Sequence, residues 1–490
     1  MSEREMRDGA PVYGHFINGE WTKPGETFEN ISPIDGAVVS HHVKGNADDA
    51  RAAIDAASEA FKTWKQMGAV ERGNILYKAS DILTRRANEI GRDLTREEGK
   101  TLKEGIGETL RAAGIIRYYA GEVLQPNGEH YPSANFKTML YTMREPVGVI
   151  GMITPWNFPI AIPAWKIAPA LAYGNTVVIK PASAAPLCTM HLIDALHEAG
   201  VPAGVVNVVT GPAGQVGDAI VEDERVVGIS FTGSGDVGRG IQTKASARGA
   251  KVQLELGGKN PAIVTADADM GQAAQQVISG AMNSTGQKCT ATSRAIVDRR
   301  IATEFTQMLE DRIGKLVVGN PLDDATNVGP LIDMDAAERV AAEVSAGLEA
   351  GAYLVVGGTR PESLSNGAFV TPALFSGVKS DSRLGQEELF GPVLGVIEVD
   401  DMDEAISVAN SVRYGLSASI FTRDLGEAMR FAREIQAGMV HINSETAGAE
   451  YQLPFGGYKD SSSYSREQGK AAREFYTQIK TVFIDEPPLA

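Results

Sequence analysis

The sequence predicts an α/β protein with two blocks of alternating strands and helices and a small β arm. Strands and helices alternate from about residue 147 to 256, and again from about 257 to 443. Strands separated by single helices form βαβ units with a parallel, doubly wound sheet. Between the first helices and the first block, residues 125–146 are rich in turn formers and then alternate between apolar and polar, which predicts a hairpin arm.

The individual elements follow in chain order. From about Asp48 to Gly121 apolar residues recur three and four positions apart, which predicts long amphipathic helices. The strands of the first block are VGVIGMIT, NTVVIK, VVNVVTG, VVGISF and VQLEL. Its helices run from about Ile160 to Ala172, through CTMHLIDALHEAG, near Gly217 to Glu222 and after Gly238. The last segment, TQIKTVFIDE, is predicted to be a strand without an obvious partner in its own domain.

Length and charge restrict the class of protein. A chain of 490 residues suggests two or three domains. Its 46 basic and 62 acidic residues give a net charge of −16, which repels nucleic acid and anionic membranes, so we expect a small-molecule partner. The opening MSEREMRD is not followed by the apolar stretch of a signal peptide, and no apolar run could cross a bilayer. The sequence therefore predicts a cytoplasmic protein.

Only two cysteines occur, which excludes a disulfide framework and a multi-cysteine metal site. Cys188 falls inside an amphipathic helix and is predicted to be an inert packing group. Cys289 follows Lys288 in the small, polar segment NSTGQKCTATSR, where backbone N–H groups can stabilise an exposed thiolate. None of the seven histidines lies in a recognisable motif and H-E-x-x-H is absent, so we predict no metal.

Residues 226–240, VVGISFTGSGDVGRG, contain a G-x-G-x-x-G at Gly233, Gly235 and Gly238. Glu255 follows 22 residues after Gly233, close to where a dinucleotide-binding fingerprint places its ribose-binding carboxylate. The spacing leaves two interpretations of Glu255 open, a cofactor ligand or a group that takes part in the chemistry.

Three other segments are ambiguous when each is considered alone. Asn157, in TPWNFPIAIPAWK, is either a turn or capping residue or an amide that faces a developing oxyanion. Lys180 ends the strand VVIK, where it could contact a cofactor hydroxyl or phosphate, although a strand-end lysine is usually solvated. EELFGPV, residues 387–393, is uninformative alone.

Together, these segments resemble the aldehyde dehydrogenase superfamily. The motifs TPWNFP, VVIKPA, FTGS, LELGGKNP, GQKCT, EELFGPV and PFGGYK occur in the family's order, and the match runs from Phe16 to the final strand. The resemblance implies a Rossmann-like cofactor domain at 1–123 and 146–256. It also implies a second α/β catalytic domain at 257–448, and a β oligomerisation arm with the C-terminal segment at 124–145 and 449–490.

The resemblance implies an NAD- or NADP-dependent oxidation of an aldehyde to an acid through a cysteine thioester. Cys289 would be the nucleophile, Asn157 would hold the oxyanion and Glu255 would activate water, while Lys180 completes the implied catalytic set. The residues implied to bind the cofactor are Ile153, Thr154, Pro155, Trp156, Lys180, Ser183, Gly217, Phe231, Gly233, Ser234, Val237, Leu256, Glu388 and Phe390. Those implied to bind substrate are Arg111, Phe158, Ile162, Trp165, Lys288, Thr290 and Phe455.

Two departures from the commoner family pattern refine these expectations. Ser183 stands where many relatives have a glutamate that grips the adenosine ribose, so NADP becomes possible beside NAD. The segment KDSSSYSREQG is one residue longer than usual, which is similar to the 2-oxoglutarate-semialdehyde (2,5-dioxopentanoate) dehydrogenases. A semialdehyde acid is therefore the expected substrate, and Arg111 is either its carboxylate partner or a solvated arginine.

Several alternatives remain. The substrate could be a neutral aliphatic or aromatic aldehyde, or succinate semialdehyde, and a non-catalytic dinucleotide-binding protein is a remote alternative. Glu255 argues against the branch that resolves its thioester with coenzyme A. Because the arm and the final strand look like unpaired β edges, which are normally covered, we also expect a homodimer or homotetramer.

Overall fold

The structure is a computed structural model that describes residues 4–487. Its first seven-stranded sheet is parallel over five strands and ends in two short antiparallel strands. In sheet order the strands are Lys251–Glu255, Val226–Thr232, Val149–Ile153, Thr176–Lys180, Val206–Val208, Phe16–Ile17 and Glu20–Trp21. The helices associated with it are Ala47–Trp64, Ala161–Ala172, Leu187–Glu198, Asp218–Glu222 and Gly235–Ala247.

The second seven-stranded sheet is parallel except for one edge pair. Its strands, in order, are Tyr353–Val356, Ala373–Ser376, Val393–Val399, Thr292–Asp298, Asn260–Val264, Ser417–Phe421 and Met439–Ile442. Its helices are Met270–Met282, Ala302–Ile313, Met334–Glu349, Arg383–Gln386, Met402–Asn410 and Leu425–Glu434. Because the carboxyl ends of parallel strands share one edge of a sheet, each sheet presents such an edge on which loops can build a site.

The N-terminal part adds a four-stranded sheet and three helices. The strands are Met6–Arg7, Ala10–Tyr13, Val38–Val43 and Thr27–Ile31, in that order, and the helices are Ala69–Arg85, Ala87–Glu98 and Leu102–Glu122. Gly99, with φ of 97°, ends the second of these helices, and a capping box of Thr101 and Glu104 starts the third. A two-stranded sheet joins Tyr414–Gly415 to Tyr458–Lys459, and a short helix spans Arg473–Tyr476.

The arm corrects one expectation from the sequence. The final strand, Thr477–Asp485, pairs antiparallel along all nine residues with Thr138–Pro146, whose other edge pairs with His130–Tyr131. The prediction that the final strand lacks a partner was therefore wrong, because its partner lies more than 330 residues earlier in the chain. The domain bounds given above stay a prediction.

A second correction concerns the glycine motif. The helix that was expected after Gly238 begins at Gly235, because the Gly238 N–H already donates to the Ser234 carbonyl in its first turn. A Cβ on Gly238 would lie 2.6 Å from the Leu256 side chain, whereas one on Gly235 would meet only the end of Arg239. Gly238 therefore allows close helix–strand packing, and Gly235 is not needed for it.

Candidate active site

The loop that carries Cys289 is held in an uncommon backbone conformation. Ser284 and Thr285 have φ of 52° and 54°, left-handed values that cost non-glycine residues about 1–3 kcal/mol each. Contacts from elsewhere in the fold support them, since Ser284 N–H donates to Glu104 Oε1 at 2.7 Å and Thr285 Oγ1 donates to the Gly329 carbonyl at 3.1 Å. The loop delivers Cys289 to a partly exposed position.

The surroundings of Cys289 act on its thiol in opposite directions. Burial, and then the carboxylates of Glu388 and Glu255, raise the pKa of the thiol well above its usual range. The backbone N–H groups of Thr290 and of Cys289 itself favour the thiolate. Burial and the two carboxylates thus disfavour the thiolate, whereas the nearby N–H groups can stabilise negative charge that develops beside the sulfur.

Asn157 connects the end of the first sheet to the cysteine loop. Its side-chain Nδ2 donates to the Gln287 carbonyl at 2.9 Å, and its backbone carbonyl accepts a 2.8 Å hydrogen bond from Lys100 Nζ. The Lys100 ammonium is paired at 2.7 Å with Glu108, whose other oxygen accepts the N–H groups of residues 160 and 161. This buried ion pair fixes the Asn157 turn, and the second Nδ2 proton is left for another acceptor.

The sequence analysis missed Lys100, Glu104 and Glu108. Lys100 precedes the helix Leu102–Glu122, Glu104 lies in its first turn, where acidic residues usually serve as caps, and Glu108 lies in its second turn. The helical pattern does not distinguish a carboxylate that caps its own helix from one that bonds a distant segment, as Glu104 does with Ser284.

Glu255 ends the strand Lys251–Glu255 and is only 2% exposed. Its Oε2 accepts a hydrogen bond from Ser462 Oγ at 2.7 Å, and its Oε1 has no hydrogen-bond partner within the described chain. Burial, then the carboxylate of Glu467, raises the pKa of Glu255 well above its usual range, while the Ser462 hydroxyl opposes that rise. A buried carboxyl with a raised pKa and a free oxygen has the properties of a general base.

The opposite side of this region has features that suit a dinucleotide. A Cβ on Gly217 would only just contact Ile153 and Lys180, both at 3.8 Å. Lys180 Nζ donates only to the Pro181 carbonyl among the described residues, and burial lowers the pKa of Lys180 to about 8. Thr154 Oγ1 is buried and finds no hydrogen-bond partner in residues 4–487. These groups leave polar atoms available to a bound ligand.

The helix Gly235–Ala247 has uncapped backbone N–H groups at its N-terminus. Ser234 precedes it in extended conformation and makes no side-chain capping bond, so the first N–H groups remain available to a pyrophosphate. Val237, in the first turn, is 52% exposed, which suits contact with a flat ligand. Phe231, Gly233 and Leu256 lie beneath the helix, where a Cβ on Gly233 would come within 2.5 Å of the Phe231 ring.

Glu388 and two aromatic residues form the remaining wall. Glu388 Oε1 accepts the Gly258 N–H at 3.0 Å, and a Cβ on Gly257 would lie 2.0 Å from Oε2, so any larger residue there would displace the Glu388 carboxylate. Burial raises the pKa of Glu388 to about 7. Trp156 packs edge to face against Phe390, with ring centroids 5.4 Å apart. Pro155 is partly exposed in the same turn as Trp156.

The side chains expected to bind substrate fall into two groups. Trp165 packs on Phe455 with ring centroids 5.4 Å apart, and the Phe158 ring lies 4.1 Å from Lys100 Nζ. Thr290 is buried beside Cys289, and its carbonyl accepts from Thr446 Oγ1. Ile162, in contrast, is fully buried in the apolar core of the helices, so it supports the wall from behind.

Trp165 has a second partner that the sequence did not indicate. Its Nε1 donates to Glu467, whose other carboxylate oxygen accepts from buried Lys166 and from Ser230 Oγ. Glu467 lies in the segment SREQG, where the sequence shows an ordinary charged run. The contacts of Glu467 with Trp165 and Lys166 therefore anchor the C-terminal segment beneath the candidate site.

Two of the side chains expected to bind substrate are cations, Arg111 and Lys288, that form no ion pair in the part of the chain that the structure describes. Arg111 Nη1 donates to the Ala449 carbonyl, and Lys288 Nζ lies 3.4 Å from the Ser279 carbonyl. Neither forms an ion pair within 4.0 Å with any group of the described residues. Burial lowers the pKa of both side chains. Acidic residues stabilise both charges only from a distance, Glu108 and Glu450 for Arg111 and Glu445 and Glu104 for Lys288, so each cation can still take a direct anionic partner.

No group of three histidine, cysteine or acidic residues within residues 4–487 is arranged to hold a metal ion. No helix in the described part of the chain is long and apolar enough to cross a membrane. Ser183 is exposed beyond the end of the strand Thr176–Lys180, where its hydroxyl lies 3.5 Å from the Gly211 carbonyl.

Comparisons with known proteins identify the family of the chain. The model of the aldehyde dehydrogenase family matches residues 21–482. An alpha-ketoglutaric semialdehyde dehydrogenase of Bacillus subtilis is 48% identical over 478 residues, covering 96% of this chain and 98% of the relative. A 2,5-dioxopentanoate dehydrogenase of Saccharolobus solfataricus is 41% identical over 469 residues, with 95% and 98% coverage.

Solved structures give the same result. Betaine aldehyde dehydrogenase from Staphylococcus aureus in complex with NAD+ superposes with a TM-score of 0.94 at 35% identity, covering 98% of this chain and 96% of that one. An NAD-dependent aldehyde dehydrogenase from Sinorhizobium meliloti gives 0.95 at 36%, with 98% and 96% coverage. The chain belongs to the aldehyde dehydrogenase family. Its predicted family, fold class and NAD(P)-dependent aldehyde oxidation are confirmed.

Proposed function

We propose that this aldehyde dehydrogenase oxidises a semialdehyde acid such as 2-oxoglutarate semialdehyde. The observation that carries the proposal is that two cations partly or fully removed from water, Arg111 and Lys288, form no ion pair within residues 4–487, and that Lys288 directly precedes Cys289 in the chain. A substrate with a carboxylate at its far end would supply the missing counter-ion. The printed activities of the relatives from Bacillus subtilis and Saccharolobus solfataricus support the same class.

The chemistry assigned to the residues follows from their surroundings. Cys289 Sγ attacks the aldehyde carbon, and the proton of the thiol passes to solvent water at this partly exposed position as the carbon–sulfur bond forms; the thiolate released at the end of the cycle takes a proton back from solvent. The carbonyl oxygen then becomes an oxyanion, which the Cys289 N–H and the free Nδ2 proton of Asn157 stabilise. A bound nicotinamide would supply the hydride acceptor that this adduct needs to become a thioester. Glu255 takes a proton from the water that attacks the thioester, which releases the acid and the thiolate.

The residues that would hold the dinucleotide lie along the carboxyl edge of the first sheet. Ile153, Thr154, Lys180 and Gly217 would surround its adenosine half, and the N–H groups after Ser234 its pyrophosphate. Glu388 and Phe390 would bound the nicotinamide half, with the Glu388 carboxylate on the ribose. Because Ser183 carries no charge, a 2′-phosphate is tolerated beside it, and both NAD and NADP can serve.

Assembly into a homodimer or homotetramer is part of the same proposal. The arm exposes a row of large apolar side chains, among them Leu124, Phe136, Met139, Ile479 and Phe483. Exposed apolar side chains on a β ribbon are normally covered by another chain. A strictly monomeric mass in light scattering at micromolar concentration would contradict this assembly.

The substrate proposal is tested by a panel of aldehydes assayed with NAD and NADP. We expect the highest kcat/KM with a semialdehyde acid. Replacing Arg111 or Lys288 with methionine should then raise KM for the acid about 10-fold or more, since a charge-assisted hydrogen bond contributes about 1.5–3 kcal/mol. KM for a neutral aldehyde of equal length should change far less. Equal effects on both substrates, in both variants, would contradict carboxylate binding at this position.

A further inference from the structure

The serine run 461–463 lies along the end of the strand that carries Glu255. Leu256 N–H donates to the Ser461 carbonyl at 2.8 Å, and Ser463 N–H donates to the Leu254 carbonyl at 3.1 Å. Glu255 and Ser462 therefore sit opposite each other in an antiparallel bridge. This is the segment whose extra residue distinguishes the chain from the commoner family pattern.

The orientation of the Ser462 hydroxyl is fixed by its two contacts. Ser462 Oγ accepts a hydrogen bond from Gly457 N–H at 2.6 Å and lies 2.7 Å from Glu255 Oε2. Because an ionised carboxylate is only an acceptor, the single hydroxyl proton must be donated to Glu255. A serine oriented in this way binds one carboxylate oxygen in a defined position.

The other carboxylate oxygen of Glu255, Oε1, lies against closely packed backbone. A Cβ on Gly456 would lie 2.8 Å from Glu255 Oε1, and Gly456 has φ of 148°, so the side chain rests directly against a glycine turn. Oε1 has no partner within residues 4–487. One oxygen is thus held by Ser462, and the other is left to accept a proton.

The charges around Glu255 come from several elements. Glu467 repels its negative charge, whereas Lys166, Arg466 and the Ser462 hydroxyl stabilise it. Cys289, on the facing loop, is itself influenced by Glu255. Lys166 is already paired with Glu467, which leaves Ser462 as the group hydrogen-bonded directly to Glu255 in the described structure.

We propose that Ser462 is a positioning residue that holds Glu255 by one carboxylate oxygen, with the other free, for thioester hydrolysis. The inference rests on the proposed role of Glu255 as the hydrolytic base. Ser462 touches neither the reacting carbon nor the cofactor and acts only through Glu255. Because a hydrogen bond to the charged form favours that form, Ser462 also keeps the base ionised at lower pH than burial alone would allow.

The experiment follows the rate at which the acylated enzyme loses its acyl group, measured by chemical quench between pH 5.5 and 9. In Ser462→Ala the pKa of Glu255 should rise, so the acid limb of this rate should move upward by about one pH unit, since a bond to a charged group contributes about 1.5–3 kcal/mol and 1.36 kcal/mol equals one unit. At pH values below the limb the rate should therefore fall about 10-fold. The size of the initial burst of NAD(P)H and the KM for the dinucleotide should not change.

Ser463→Ala is the matched control, because Ser463 Oγ accepts from Leu254 N–H in the same strand but does not contact Glu255. Its pH profile should match the wild type, and Ser462→Thr, which keeps the hydroxyl, should restore most of the rate. Should Ser462→Ala fail to fold, Ser462→Cys, with a weaker donor of similar size, must shift the acid limb upward as well, by a smaller amount.

An unchanged acid limb in Ser462→Ala, or an equal shift in Ser463→Ala, would overturn the inference. Failure of the underlying function has a different signature. If Glu255→Gln hydrolysed the thioester at the wild-type rate, Glu255 would not be the base, whatever Ser462→Ala showed. Slow hydrolysis in Glu255→Gln together with an unshifted Ser462→Ala profile would reject the role of Ser462 alone.

Discussion

The two cysteines of this chain both have a raised thiol pKa, but they differ in exposure and in the backbone that carries them. Cys188 is fully buried in the helix Leu187–Glu198, where its N–H donates to Glu97 at 3.0 Å. Cys289 follows a left-handed loop and is partly exposed. Burial raises the pKa of both thiols, and carboxylates add to the effect, Glu97 on Cys188 and Glu388 on Cys289.

The difference between the regions shows that a pKa value alone does not identify a reactive thiol. The Cys289 thiol has backbone N–H groups beside it, a surface opening and the Asn157 amide bonded to the same loop. Cys188 is fully buried in the core, where it contacts apolar side chains and the carboxylate of Glu97. Geometry that stabilises the charge formed during reaction, together with access, separates the two.

The comparison predicts its largest effect in a pair of alanine variants. Cys289→Ala should abolish both the burst of NAD(P)H and the steady state, a loss on the order of 10⁴-fold or more, because the nucleophile itself is removed. Cys188→Ala should keep kcat within about twofold and lower the stability by roughly 1 kcal/mol, measured by urea unfolding. A Cys188→Ala enzyme that folds but does not turn over would contradict the assignment.

A smaller effect, on the preference between NAD and NADP, is expected from Ser183, which lies just before the helix that carries Cys188. Ser183 is the exposed residue of that region that is predicted to meet the cofactor. Ser183→Glu should lower kcat/KM for NADP by about 10-fold or more, because a carboxylate beside a 2′-phosphate costs about 1 kcal/mol or more. Turnover with NAD should be kept, and Ser183→Gln, of similar size without the charge, is the matched control. If the wild type ignored NADP, another group must exclude the phosphate.

Much of this could be predicted from the sequence. The alternation of strands and helices gave both large sheets, and the polar segment around Cys289 distinguished it from Cys188. The order of the motifs indicated the family. Local patterns suffice for these features because each depends on residues that are close in the chain.

The missed features depend on contacts between distant residues. The final strand pairs with Thr138–Pro146, and no local pattern reveals a partner so far away. Lys100 and Glu108 resemble ordinary residues around a helix start. They nevertheless hold the Asn157 turn, which lies more than 45 residues later in the chain. Ser462 lies in a polar run that resembles a loop, and only the fold brings it to Glu255.

The central claim is that Glu255 is the hydrolytic base. The spacing after the glycine motif suggests a ribose ligand instead, whereas the buried site suggests a base. As a ribose ligand, a Glu255→Gln variant would chiefly raise the KM for the dinucleotide.

As the hydrolytic base, Glu255→Gln should leave acylation and hydride transfer in place and slow only hydrolysis, by on the order of 10²–10⁴-fold. Rapid mixing of this variant with aldehyde and NAD(P) measures the difference directly. We predict a burst of reduced cofactor approaching one equivalent per active site, followed by a very slow steady state. Normal steady-state turnover with a greatly raised KM for the dinucleotide would contradict the account.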